Sequence, residues 1–126
     1  MPYVEFAEEM LHELEERDSR FDRRAYLHVL AALQAMMDRL AMPRHISADE
    51  LAREAGRLAL ERYGVLARTV LEHWGVHSTA EFGAIVFHLV EAGVLVKQEG
   101  DRIEDFEDVF DFGEIFERGY PWGARI

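Results

Sequence analysis

Histidine offers this sequence its widest range of chemistry, because imidazole binds metals and exchanges protons near neutral pH. The chain has six histidines and no cysteine, so a metal site would need imidazole and carboxylate ligands. His73 and His77 have the spacing of one helical face, but Gly75 between them ends the helix. Glu9 and His12 form one Glu-x-x-His pair, whereas a di-iron bundle needs two such pairs and two more glutamates. The sequence therefore predicts no metal site.

Patterns typical of catalysis are also missing from the sequence. The absence of cysteine removes a thiol nucleophile, and the nine glycines stand singly rather than in a phosphate-binding loop. Gly83 falls inside a helical pattern, where it indicates either a close helix contact or a gap for a ligand. The abundant carboxylates lie on polar stretches that would not desolvate one of them for acid–base chemistry. We therefore predict no enzymatic activity, no catalytic residue and no cofactor.

The stretch from Ser78 to Ile103 is the clearest structural pattern. Ser78 and Glu81 have the spacing of a capping box, and Gly93 is placed to end the helix. An apolar face recurs at helical spacing through Phe82, Ile85, Val86, Leu89 and Val90. After the glycine, residues 94–96 have strand composition, and 98–101 resemble a tight turn that leads into a short return arm. This order predicts a recognition helix followed by a β-hairpin.

Four more helices are predicted ahead of this stretch. Apolar stripes indicate helices over about 3–17 and 23–41. Ser47 and Glu50 form a second capping box at the start of a helix that ends at Tyr63 and Gly64. A shorter helix over about 65–74 ends at Gly75.

The predicted fold is mainly α. Its centre is a winged-helix-like three-helix core with helices at 47–63, 65–74 and 78–92 and a short β-hairpin at 94–103 as the wing, preceded by two N-terminal helices. We treat residues 1–126 as a single domain, since this length supports one hydrophobic core. Its parts are an N-terminal helical pair (1–42), the core (46–103) and an acidic aromatic C-terminal segment (104–126).

The net charge of −11 is concentrated at the two ends of the chain. Residues 1–18 carry seven acids and one arginine, and residues 99–126 carry nine acids and three arginines, so each end has a charge of −6. The remainder is near neutral, with nine acids and ten bases. Such ends repel nucleic-acid phosphates and favour basic partners. No signal peptide or membrane-spanning run is evident, so we expect a soluble, cytoplasmic protein.

The exposed side of the predicted recognition helix has the wrong chemistry for reading DNA. If the apolar face is buried, Glu81, His88 and Glu91 remain to face a groove, and the helix has no Arg, Lys, Asn or Gln. The sequence therefore argues against nucleic acid as the partner. The alternative of a winged-helix regulator would use basic side chains elsewhere, namely Arg53, Arg57, Lys97 and Arg102.

The C-terminal segment combines acids with closely spaced aromatic residues, Phe106, Phe110, Phe112, Phe116 and Trp122. We expect these side chains to pack on the domain, because aromatic residues contribute large burial energies. The alternative is an acidic aromatic tail that docks into a partner. Exposed aromatic residues would also be compatible with a homodimer.

Five blocks of the sequence stand out when they are taken together: AYLHVLAAL (25–33), HISADEL (45–51), YGVLARTVLEHWGV (63–76), TAEFGAIVFHLVEAGVLVK (79–97) and EDFEDVFDF (104–112). In this order they resemble a small uncharacterised bacterial protein family with no established activity. The resemblance implies a shared order of blocks over about residues 20–116 and supplies no catalytic residues.

These features lead to one functional hypothesis and two alternatives. The hypothesis is a non-catalytic protein–protein interaction module, an adaptor or accessory subunit, that binds a protein partner of basic character. Its candidate contact residues are Glu81, His88, Glu91, Phe106, Phe110, Phe112, Phe116 and Trp122. The alternatives are the nucleic-acid-binding regulator and a small-molecule or metal-dependent activity.

Overall fold

The computed structural model describes residues 2–96, 100 and 102–118, and the side chains of these residues except 2–7 and 118. Within this part the secondary structure is entirely helical. The α-helices are α1 (Pro2–Arg17), α2 (Arg23–Arg39), α3 (Ala48–Tyr63), α4 (Ala67–His73) and α5 (Thr79–Glu91). Short 3-10 turns at Gly64–Leu66 and Ile103–Phe106 and a π-helical turn at Glu114–Arg118 complete it.

The helix boundaries follow from capping groups that the sequence makes visible. Ser47 and Glu50 form the predicted capping box at the start of α3: the Ser47 hydroxyl accepts from the Glu50 amide, and the Glu50 carboxylate accepts from the Ser47 amide. Gly75 and Gly93 adopt left-handed backbone with φ of 97° and 81°. The amides that follow them, those of Val76 and Val94, return to carbonyls of the last helical turn, which ends α4 and α5.

Helix α5 lies at the centre of the molecule. Phe82, Ile85 and Leu89 are buried, and most of the other side chains of α5 are at least half-buried. Helices α2 and α3 and the turn at Ile103–Phe106 all pack against it. A helix enclosed on several sides needs apolar residues around most of its circumference, and the sequence of α5 meets this condition.

The predicted β-hairpin is wrong, because the described part of the chain contains no strand. The amides of Val94 and Leu95 both donate to the Leu89 carbonyl, so they complete the end of α5 instead of pairing with a second strand. Ile103 begins a 3-10 turn rather than a return arm. Positions 97–99 and 101 of the predicted hairpin lie outside the described residues.

The predicted winged-helix-like core is therefore also wrong, since the described part of the chain is entirely helical. Helix α2 packs against both α3 and α5 and contributes buried Ala25, Tyr26, Val29 and Ala32 to the same core. The α1–α2 connection contacts the end of α4, where the Asp22 amide donates to the Trp74 carbonyl at 3.0 Å. Among the described residues, no helix is long and apolar enough to cross a membrane.

Candidate partner-binding site

Residues 102–118 form an irregular segment with one apolar side and one acidic side, which we name the C-terminal strap. Phe106, Phe112 and Phe116 are buried, and Phe110 is half-buried. The expected packing of the aromatic segment on the domain is confirmed for these residues. The exposed side carries Glu104, Asp105, Glu107, Asp108, Asp111, Glu114 and Glu117.

Two glycines inside helices make room for the strap. A Cβ atom added at Gly83 of α5 would lie 2.8 Å from the Cβ of Phe106, and one added at Gly56 of α3 would lie 2.7 Å from the Cζ of Phe110. Such distances are shorter than carbon atoms tolerate without movement. The close contact predicted at Gly83 is therefore present, and the strap rather than another α-helix makes it.

Thr79, the first residue of α5, fixes the backbone of the strap. Its hydroxyl donates to the Phe106 carbonyl at 2.6 Å and accepts from the Val109 amide at 3.2 Å. The side chain is buried, so both bonds are shielded from water. From α3, the Arg53 guanidinium donates to the Val109 carbonyl at 3.2 Å. Helices α3 and α5 thus hold the strap through its backbone as well as its phenyl rings.

A cavity lies between the strap and the start of α5. Its volume is about 590 Å³, and we name it the acidic pocket. Its strap side is lined by Glu107, Asp108, Asp111, Glu114 and the rings of Phe110 and Phe112. The opposite side is lined by Arg68 and residues 77–80.

Negative charge in the acidic pocket is largely unbalanced. Arg68 is already paired with Glu72 and Glu117, each at 3.0 Å. Glu107, Asp108 and Glu114 form no ion pair with any side chain that the structure describes. Every arginine whose side chain the structure describes, except Arg17 and Arg62, is paired with a carboxylate. The strap is therefore a place where carboxylates remain free to meet an external cation.

The sequence-predicted contact residues are divided between the strap and α5. Phe110 and Phe112 line the acidic pocket. Phe106 and Phe116, on the same strap, are buried and do not line it. Glu81 is half-buried, and its carboxylate accepts from the His77 amide at 2.6 Å. Glu91 is exposed at the far end of α5, and Trp122 lies outside the described residues.

His88 belongs to an internal network rather than to an exposed recognition surface. Its Nδ1 lies 3.0 Å from the hydroxyl of buried Tyr26, and its Nε2 lies 3.7 Å from the Asp18 carboxylate. The ring of Phe21 contacts both aromatic groups with centroid distances near 6 Å. Burial raises the pKa of Tyr26 to about 12. The network joins α2 and α5 to the α1–α2 connection, and the enclosed Tyr26 hydroxyl does not reach solvent.

The basic residues of the nucleic-acid alternative do not form a free cationic face in the described structure. Arg53 pairs with Asp49 at 2.9 Å, and Arg102 lies 3.3 Å from Glu104. Arg57 pairs with Glu54 and Glu61 at 2.6 and 3.0 Å. Lys97 lies outside the described residues. A phosphate would have to displace carboxylates from each of these arginines.

No group of three or more His, Asp or Glu side chains among the described residues is placed to hold a metal ion. His12 of the single Glu-x-x-His pair is bonded to Glu16 at 2.9 Å. His73 ends α4, and the left-handed Gly75 separates it from His77, as the sequence predicts.

Sequence reasoning missed two residues that shape this site, Gly56 and Thr79, and also the burial of Glu54, which does not line the pocket. Gly56 lies in the interior of α3 and contacts the Phe110 ring. The signal that the sequence offered was a glycine inside a helix, which indicates that another segment approaches closely. Thr79 gives no periodic signal, because its role depends on the strap reaching it. Glu54 is 4% exposed and is held by Arg39 at 2.7 Å and Arg57 at 2.6 Å. Burial opposes its ionisation, but the two guanidinium groups outweigh burial and lower its pKa to about 2.

Comparison with protein-family models, with curated proteins and with solved structures finds no match to this chain.

Proposed function

We propose that this chain is a non-catalytic protein-interaction module that binds a basic segment of a protein partner at the acidic pocket. The observation that carries the proposal is the cavity of about 590 Å³ whose strap side presents Glu107, Asp108 and Glu114 without ion-pair partners in the described chain. Phe110 adds a half-buried ring to the same wall. A lysine or arginine side chain could lie over this ring while its charged end meets the carboxylates.

The distribution of charge supports a basic partner over an anionic one. Ion pairs within the chain use nearly all of the described arginines, while the net charge remains −11. An unbalanced negative field increases the rate at which a cationic partner arrives, and this increase falls as salt screens it. The alternatives of nucleic-acid binding and of small-molecule or metal-dependent activity have no comparable site among the described residues.

The first test compares two variants with the same change in charge. Glu107→Gln with Glu114→Gln removes two charges from the acidic pocket, and Glu9→Gln with Glu13→Gln removes two exposed charges from α1. Tagged wild-type and variant chains are used to capture partners from lysate of the native cells, with and without nuclease, and mass spectrometry identifies them. The partner with the strongest signal is then titrated against all three chains.

We expect the pocket variant to bind that partner at least about tenfold more weakly, since two charge-assisted contacts are lost. The α1 variant should bind within about twofold of the wild type, because its charges lie outside the pocket. Equal affinity in all three chains would contradict the proposed site. An equal loss in both variants would show that net charge alone determines binding, and partners that disappear with nuclease would favour nucleic acid.

A further inference from the structure

The C-terminal strap occupies a groove that has the features of a peptide-binding groove. Gly56 and Gly83 create two gaps, on α3 and α5, and these receive Phe110 and Phe106. The two phenylalanines stand four residues apart, so the groove recognises two aromatic side chains at a fixed spacing. Peptide grooves commonly combine a few deep side-chain anchors with recognition of the backbone.

The groove also supplies the backbone contacts. The buried Thr79 hydroxyl bonds a carbonyl and an amide of the strap, and Arg53 bonds one further carbonyl. These groups bond atoms that every peptide possesses, so they would accept another segment of the same backbone shape. The two glycine gaps would then select for phenyl rings at the first and fifth positions.

The strap itself is an imperfect occupant of this groove. Asp108 has a φ of 50°, in the left-handed region that disfavours side chains other than glycine, although aspartate tolerates it better than most. Asp105, Glu107, Asp108 and Glu114 form no ion pair in the described chain, so no ion pair of theirs holds the strap in the groove. The strap lacks an α-helix, so its opening breaks few regular backbone bonds.

We propose that the strap is a displaceable intramolecular ligand, and that the groove on α3 and α5 also binds a partner segment with two phenylalanines four residues apart. The competing segment would bind better than the strap if it had glycine at the position of Asp108 and fewer acids. This proposal depends on the groove contacts and does not depend on the basic partner proposed for the acidic pocket.

The test uses the full chain and a fluorescent synthetic peptide with the sequence of residues 102–118, changed by Asp108→Gly. The control peptide also carries Phe106→Ala and Phe110→Ala. The strap of the chain is weakened by Phe106→Ala, which empties the gap at Gly83 for the added peptide. Gly83→Ala, added to this variant, fills the gap and serves as the blocked chain.

Fluorescence anisotropy should show the peptide binding the Phe106→Ala chain at least tenfold more tightly than the wild type, and the blocked chain at least tenfold more weakly than Phe106→Ala. The peptide should also raise the melting temperature of the Phe106→Ala chain, and the control peptide should not. If Phe106→Ala prevents folding, Phe110→Ala replaces it, since that ring is only half-buried. Equal binding by the wild-type and weakened chains, or no binding and no thermal shift in either weakened chain, would overturn the proposal.

Discussion

At the scale of single residues, the two glycines beneath the strap differ in what an added methyl group would meet. At Gly83 the methyl carbon would meet the Cβ of Phe106 at 2.8 Å, and this atom is fixed to the strap backbone. At Gly56 it would meet the far end of the half-buried Phe110 ring, an atom that can move by side-chain rotation without a shift of the strap backbone. The same substitution should therefore have different consequences at the two positions.

We predict that Gly83→Ala lowers the free energy of unfolding by about 1–3 kcal/mol, because the strap must move outward. Gly56→Ala should leave the free energy of unfolding unchanged or raise it by up to about 1 kcal/mol, because alanine favours the helix and the Phe110 ring can move aside. Urea unfolding followed by circular dichroism measures both values. An equal loss at the two positions would mean that the Phe110 ring is held as rigidly as the Phe106 backbone.

These two glycines also mark how far residue types alone predict the site. A glycine inside an apolar helix indicates either a close contact or a gap for a ligand, and at Gly83 the structure has a close contact. The pattern does not identify the approaching group, since Phe106 lies beyond a long connection in the sequence. Thr79 illustrates the same limit: a threonine at a helix start has many uses, and its two bonds exist only after the strap is in place.

At the scale of secondary-structure elements, the same capping pattern occurs twice with different outcomes. Ser47 and Glu50 exchange both bonds of the capping box, and Arg44 also holds the Glu50 carboxylate at 2.8 Å. Ser78 begins α5 without a side-chain capping bond, and Glu81 instead accepts from the amide of His77. The capping box predicted at Ser78 is therefore wrong.

We predict that Ser47→Ala lowers the free energy of unfolding by about 1 kcal/mol, because an amide of the first turn of α3 loses its partner. Ser78→Ala should change it by less than about 0.5 kcal/mol, since no capping bond is removed. Thermal and urea unfolding at pH 7 measure both variants side by side. A loss at Ser78 as large as that at Ser47 would show that the Ser78 hydroxyl caps α5 in solution.

The elements that the sequence predicts well are those whose signals are local. The boundaries of helix α3 are predicted from its own capping residues, and Leu51, Ala55, Leu58 and Ala59, which recur at helical spacing, are all buried. The short apolar run at Val94–Val96 has the composition of a strand but lacks a partner strand in the described chain. Its first amides complete the end of α5, so a capping requirement prevails over strand propensity.

At the scale of the whole molecule, stability depends on two groups of ionisable side chains that respond to acid at different pH. Burial lowers the pKa of His28, and the nearby Arg62 charge lowers it further, although the bond to the Ala55 carbonyl acts in the opposite direction. The Nδ1 atom of His28 is buried without a hydrogen-bond partner in the described chain, so the fold favours the neutral ring. Arginine partners hold the pKa values of Asp22, Glu50 and Glu54 at about 2.

Both effects reduce stability on acidification. Below pH 6.5 the His28 ring takes up a proton in the unfolded chain, whereas in the folded chain it stays neutral to lower pH. Folding therefore becomes less favourable as the pH falls. The three carboxylates contribute stability that is present above their usual pKa values of 3.8 to 4.5 and is lost as the pH falls towards about 2. We predict a plateau above pH 7, a first decline below pH 6.5 and a second one below about pH 4.5.

Urea midpoints measured at intervals between pH 8 and pH 3 test this profile, and His28→Gln assigns its first decline. Glutamine keeps a donor for the Ala55 carbonyl but does not titrate, so the variant should lose the decline between pH 6.5 and pH 5 and keep the second. His12→Gln is the matched control, because His12 is 66% exposed and its replacement should leave the first decline in place. Parallel curves for His28→Gln and wild type would show that another group produces the first decline.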